Sequence, residues 1–80
     1  MTEELSPEHR AREALVLGLR QLAGVRRDRF HQLTGFDLDE LAGSTIARQI
    51  VLGNIEDFGH GIRLSRTGIF LADSVTVDFL

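Results

Sequence analysis

The chain has 80 residues, a hydrophobic fraction of 42% and five phenylalanines, which suits one small folded domain and excludes a disordered chain. It contains no cysteine, which excludes disulfide bonds, a cysteine-ligated iron–sulfur cluster and a thiolate zinc site in this chain. The net charge is −3 and all nine basic residues are arginine, so the positive excess that phosphate binding needs is missing.

A first helix is predicted over residues 7–23. Ser6 can cap its start, Pro7 suits the first helical position, and Glu8 favours the positive end of the helix dipole. Gly24 supplies a stop signal. Small and apolar residues recur along one face at helical spacing: Ala11, Ala14, Leu15, Gly18, Leu19 and Leu22.

Two further helices are predicted over residues 25–34 and 38–52. Gly35 is a natural C-terminal cap for the first of them, and Asp37 or Asp39 can open the second. The Gly43-Ser44-Thr45 triplet weakens the third helix near its middle. One face of that helix carries Leu38, Leu41, Ala42, Thr45, Gln49 and Leu52, with Ile46 beside them.

A β-hairpin and a last helix complete the chain. Residues 55–58 and 62–64 are strand candidates, and Gly59-His60-Gly61 between them reads as the turn. Ser65 caps a helix that is predicted to continue to the C-terminus. Its main apolar stripe comprises Gly68, Leu71, Ala72, Val75 and Phe79.

The order helix, helix, helix, hairpin, helix predicts a mainly α, winged-helix-like fold in which the two-stranded hairpin is the wing. Residues 1–6 are expected to be a leader or the stump of a linker, and residues 7–80 a single accessory domain. No apolar run is long enough to cross a membrane and no signal-peptide pattern opens the chain, so no membrane partner and a cytoplasmic location are expected.

No catalytic, cofactor-binding or metal-ligating residue is predicted. His9, His31 and His60 lie on different predicted elements without the spacing of a metal site, which favours solvated surface side chains. Glu56 and Asp57 are adjacent in a strand and therefore point to opposite faces. No serine has a histidine and an orienting carboxylate in a nucleophile-elbow context.

The best candidate for a functional surface is surplus apolar area on the first and last helices, outside their main stripes. Such area usually marks an interface, so a domain-docking surface is predicted, with self-association of the isolated domain as a further expectation. Arg20 lies on the same side and is expected to pair with an acid of this domain or of a neighbouring one. Gly18, on the opposite stripe, predicts a close approach by the backbone of another helix. The candidate docking residues are Val16, Leu17, Arg20, Ile69, Phe70, Val77 and Leu80.

Two segments carry a family resemblance: EALVLGLRQLAGV over residues 13–25 and IRLSRTGIFLADSVTVDFL over residues 62–80. Together they resemble the C-terminal domain of the oxygen-independent coproporphyrinogen III oxidase family, radical-SAM proteins that include related haem chaperones. The resemblance is weak between Asp37 and Phe58. It implies a non-catalytic domain that packs against an upstream catalytic barrel near the substrate side, in porphyrin and haem biosynthesis.

The resemblance also implies what the parent protein uses. In that family a three-cysteine cluster of the barrel binds a 4Fe–4S centre and S-adenosylmethionine, and the oxidases decarboxylate two propionates of coproporphyrinogen III. This chain has no cysteine, so no cofactor is expected in it. The parent is expected to be a coproporphyrinogen dehydrogenase or a related haem chaperone.

Two alternative functions stay open. A free-standing winged-helix transcription regulator is disfavoured because the predicted third helix holds a single arginine and begins with acids. A domain that itself handles haem would need His60 or His31 as the axial ligand, and neither has a supporting motif.

Overall fold

The computed structural model describes residues 6–80, and within them the chain forms five helices and three short strands. The order confirms the predicted fold class, which is mainly helical with a small β wing. The predicted leader or linker stump lies outside the described residues, except for Ser6. The elements are α1 (Pro7–Leu19), β1 (Val25–Arg26), α2 (Arg27–Thr34), α3 (Leu38–Val51), β2 (Ile55–Asp57), β3 (Gly61–Leu64), α4 (Arg66–Phe70) and α5 (Ala72–Val77).

Helix α1 begins where the sequence predicts and ends earlier. The Ser6 Oγ accepts a hydrogen bond from the N–H of His9 at 3.1 Å, and Pro7 occupies the first turn. The helix stops at Leu19 and a tight turn follows, which Gly24 closes with a φ of 78°. Leu22 therefore lies beyond the helix and is 83% exposed, so its predicted place on the core stripe is wrong.

The predicted second helix starts two residues late, because Val25 and Arg26 form strand β1 instead. This strand pairs antiparallel with β3, with Val25 opposite Ile62, and the sheet order is β1-β3-β2. The wing hairpin thus gains a third strand. Gly61 makes the pairing possible, since a Cβ there would collide with the carbonyl of Val25.

The hairpin itself is confirmed. Strands β2 and β3 pair antiparallel, with Ile55 opposite Leu64, and the intervening turn has Gly59 at a φ of 91°. Ile55 and Leu64 are both buried, so this end of the wing faces the core.

Two helices are interrupted. In α3 the backbone of Ala42 leaves helical geometry, with φ −140° and ψ 23°. Ala42 directly precedes the Gly43-Ser44-Thr45 triplet, which is predicted to weaken this helix. The single last helix predicted from Ser65 is wrong as one element, because Leu71, with φ −109° and ψ 24°, separates α4 from α5. The break takes Leu71 out of the predicted stripe, and its side chain is 48% exposed.

The core lies between α1, α3, the sheet and α5. At the edge of the core near the C-terminus of the chain, Arg12 makes hydrogen bonds to backbone carbonyls. The Arg12 guanidinium donates hydrogen bonds to the carbonyls of Leu41 (3.0 Å) and Phe79 (3.2 Å), which ties α1 to α3 and to the last turn. The buried apolar residues are Ala11, Leu15, Leu19, Val25, Phe30, Leu38, Ala42, Ile46, Ile55, Ile62, Leu64, Val75 and Phe79.

Candidate functional site: an exposed apolar helical face

The seven predicted docking residues, here called the docking face, lie mostly on the surface of α1, α4 and α5. Leu17, Val77 and Leu80 are each about two-thirds exposed, Phe70 is 83% exposed and Ile69 about half exposed. Val16 differs, since it is only partly exposed and packs against the core cluster. The surplus apolar surface is therefore present for five of the six apolar residues, and its role in docking stays a prediction.

Six of the seven docking-face residues line three shallow depressions. Val16, Leu17 and Leu80 line one shallow depression together with Glu13. Arg20 and Ile69 line a second depression, which Leu22 also borders. Ile69 and Phe70 line a third depression. Val77 is exposed on α5 and lines none of the three.

Arg20 joins α5 to the segment that follows α1. Its Nη2 lies 2.8 Å from Asp73 Oδ1 and donates a weaker hydrogen bond to Thr76 Oγ1 at 3.3 Å. Arg20 is expected to pair with an acid of this domain or of a neighbouring one, and its partner is Asp73 of this domain. Because the Asp73 side chain is 92% exposed, the pair contributes little to stability and mainly fixes where the guanidinium sits on the face.

The sequence missed two residues that enlarge the apolar area of this side. Helical spacing predicts core positions for Leu22 and Leu71, yet they are 83% and 48% exposed. Both misassignments arise from breaks in helices, at the turn after Leu19 and at Leu71 itself.

Gly18 has a different neighbour from the one predicted. A Cβ at this position would come within 2.5 Å of a methyl group of Val25, so a side chain of strand β1 approaches α1 here, not the backbone of another helix. The predicted close approach to Gly18 is present, but the predicted partner is wrong. Val25, predicted to begin a helix, belongs to strand β1 and contacts Gly18 through its side chain.

The histidines do not assemble. His9, His31 and His60 are all exposed and lie on α1, α2 and the wing turn, and within residues 6–80 no cluster of three possible metal ligands occurs. The Ser65 Oγ accepts the N–H of Gly68 at 3.0 Å, as a helix cap does. Glu56 and Asp57 pair with different arginines, as expected for opposite faces of a strand.

One ion cluster fixes the wing against the helices. Arg27 donates to the carboxylates of Asp39 and Asp57, each at 2.9 Å, and to the carbonyl of Gly59 at 3.1 Å. These contacts raise the pKa of Arg27. The same hydrogen bonds from Arg27, with the N–H of Gly59, hold the pKa of Asp57 below its usual range.

A second cluster anchors the C-terminal end to α3. Asp78 accepts hydrogen bonds from Gln49 and Arg48, each at 2.8 Å, and these bonds lower the pKa of its carboxyl. Gln49 in turn accepts a bond from the buried Asn54 at 2.8 Å. Both clusters therefore act on the fold, since Arg27 and Arg48 each pair with a carboxylate from another part of the domain.

The described residues thus offer exposed apolar surface at the docking face. None of the helices within residues 6–80 combines the length and the apolar content that a bilayer crossing requires. Comparison with curated proteins gave no match, and neither did comparison with solved structures. A family model described as the HemN C-terminal domain matches residues 5–71, which covers most of the chain from α1 to α4. The chain therefore belongs to the HemN C-terminal domain family, as its two terminal fingerprints predicted.

Proposed function

We propose that this chain is the non-catalytic C-terminal accessory domain of a radical-SAM, oxygen-independent coproporphyrinogen III oxidase-like protein, in porphyrin and haem biosynthesis. Its docking face packs on the upstream catalytic barrel of the same polypeptide, near the substrate side. The parent is an oxidase or a related haem chaperone. Membership of the HemN C-terminal domain family supports this proposal.

The observation that carries the docking role is that large apolar side chains of the docking face lie outside the core. Leu17, Phe70 and Leu80 each expose more than half of their surface although the core is filled by other residues. Each such side chain adds roughly 1.5–3 kcal/mol of burial when a partner covers it, before the costs of association. An exposed cluster of this kind favours a partner surface.

Cofactor chemistry belongs to the proposed barrel. A 4Fe–4S centre of the radical-SAM type needs cysteine ligands, and this chain has none. Within residues 6–80 no other cluster of possible metal ligands takes their place. The residues of this domain therefore do not supply ligands for such a centre, and the contribution of the domain is to cover the substrate side of the barrel.

The test introduces Leu17→Glu and Phe70→Glu separately into the full-length parent. A buried, unpaired carboxylate in the domain contact should raise amide hydrogen exchange in α1, α4 and α5 and speed proteolysis between the domains. Val51→Glu is the matched control, because Val51 is 86% exposed on α3 and lines none of the three depressions of the docking face. Unchanged exchange in both docking-face variants, or the same increase in Val51→Glu, refutes docking through this face.

A further inference from the structure

A second apolar surface lies between α1 and α2, and no residue of the docking face lines it. This α1–α2 groove has a volume of about 560 Å³ and an apolar floor formed by Ala14, Gly18, Val25, Phe30, Leu33 and Phe58. Leu33 is 78% exposed although the sequence places it on one helical face with the buried Phe30. The groove is open to solvent, because Leu33 and Phe58 of its lining are both exposed.

The groove continues past Leu33 towards the start of α1. A neighbouring depression shares Ala14 and Leu33 with it and is bordered by Pro7 and Arg10. From Pro7 to Gly18 the surface follows α1 for about 17 Å, or three helical turns. Its length suits a polypeptide segment laid along α1.

The rim of this surface is positive although the chain as a whole is acidic. Arg26 and Arg29 border the groove, and Arg10 borders its continuation. Arg26 pairs with Asp28 at 3.1 Å, but among residues 6–80 no carboxylate lies within ion-pair distance of Arg10 or Arg29. Two exposed guanidinium groups thus stand beside an apolar floor without a charge partner in the described part of the chain.

We propose that the α1–α2 groove binds an acidic amphipathic segment of a partner protein. Apolar side chains of that segment cover Leu33 and Phe58, while its carboxylates pair with Arg10 and Arg29. Guanidinium groups bind carboxylates through paired hydrogen bonds, which fixes the orientation of the segment. Nucleic acid is the less suitable occupant, because the rim carries few cations and lies in a molecule of net charge −3.

The groove floor is held in place by the fold. Phe58 follows strand β2 and its ring lies under the guanidinium of Arg63, at 5.4 Å from the ring centroid. Val25 belongs to β1 and is almost fully buried, and Phe30 is anchored in the core. The site therefore lies on a preformed surface, and the variants below change only exposed side chains.

The probe is a panel of fluorescein-labelled helical peptides of about four turns, with leucines on one face and glutamates on its flanks, in different leucine registers. Fluorescence anisotropy of the full chain should show saturable binding that weakens with salt. Arg10→Glu and Arg29→Glu should each weaken binding about tenfold, and Leu33→Ser should weaken it comparably. Amide chemical shifts should change at α1 and α2 and not at α4.

Arg66→Glu is the matched control, because Arg66 is also exposed and has no carboxylate partner among the described residues, but lies on α4. Equal weakening by Arg66→Glu overturns the proposal, since binding would then follow net charge alone. Equal binding of composition-matched scrambled peptides, or binding of no peptide in the panel, also overturns it. If dodecanoate binds the groove and the peptides do not, the site takes small amphipathic anions and the protein partner is wrong.

Discussion

Gly68 lies directly against the backbone carbonyl of Asn54, and no side chain fits between them. Asn54 also accepts a backbone hydrogen bond from Ser65 at 2.9 Å, so the start of α4 is fixed against the segment that enters β2. This contact places α4 and, through it, Ile69 and Phe70 of the docking face.

Gly68→Ala is expected to lower the free energy of unfolding by about 1–3 kcal/mol, because the new methyl group would overlap a backbone carbonyl that cannot move alone. Gly43→Ala is the control: a Cβ there meets nothing within 4 Å, and the change should stabilise the domain by about 0.5–1 kcal/mol. Urea denaturation followed by circular dichroism measures both. Effects of the same sign would contradict this reading of the contact.

Phe79 and Phe70 differ in burial and should differ in their response to truncation. Phe79 is 0% exposed, so Phe79→Ala should lower the free energy of unfolding by about 3–5 kcal/mol, enough to threaten folding of a domain of this size. Phe70 is 83% exposed, and Phe70→Ala should stay within about 0.5 kcal/mol in the isolated chain. Thermal unfolding distinguishes the two, and a large loss from Phe70→Ala would mean that this side chain is packed.

Acid should unfold the domain partly through Asp57 and Asp78. Their folded-state pKa values are lowered by hydrogen bonds, chiefly from Arg27 and from Gln49 with Arg48, so the unfolded chain binds protons more readily. Their contribution is present above the ordinary carboxyl pKa of about 4 and is lost as pH falls through the lowered folded-state values. Stability should therefore decline below about pH 4.

Asp78→Asn tests this origin. The variant should be less stable than the parent chain at neutral pH, by about 1 kcal/mol, and its stability should fall less steeply below about pH 4. Asp73→Asn, which removes a carboxylate that is 92% exposed, should change stability little. Identical pH profiles for Asp78→Asn and the unchanged chain would show that another group carries the acid sensitivity.

Appreciable binding to duplex DNA is not expected at physiological salt. Arg48 is the only arginine of α3 and is paired with Asp78, and Arg63 is the only arginine of the hairpin and is paired with Glu56. The element that would read a groove and the wing therefore lack free cations for phosphates. A mobility-shift titration with micromolar, salt-sensitive binding would instead favour a transcription regulator.

Local signals predicted the parts of the fold that depend on neighbouring residues. Ser6 and Ser65 cap the helices that follow them, and the Gly59 turn joins two strands, as their residue types require. Strand β1 escaped prediction because Val25 finds its partner in Ile62, far along the chain. A strand of two residues directly before a helix is too short to show the alternation of apolar and polar residues that predicts a strand.

The candidate surfaces were predictable to different extents. The docking face followed from apolar residues outside a helical stripe, a pattern visible in one helix at a time. The α1–α2 groove did not, because it requires knowing that Leu33 and Phe58 border the same space as Gly18. Leu33 is an example: it lies three residues after the buried Phe30 on α2, yet it is 78% exposed.

The position of β3 between β1 and β2 has a consequence for how the protein is made. Val25 leaves the ribosome long before Ile62, its partner, so β1 waits unpaired while α2 and α3 are synthesised. Phe79, which fills the core, emerges later still. The sheet can therefore complete its pairing only after β3 has been synthesised, and a chain that ended before Gly61 would leave the edges of β1 and β2 unpaired.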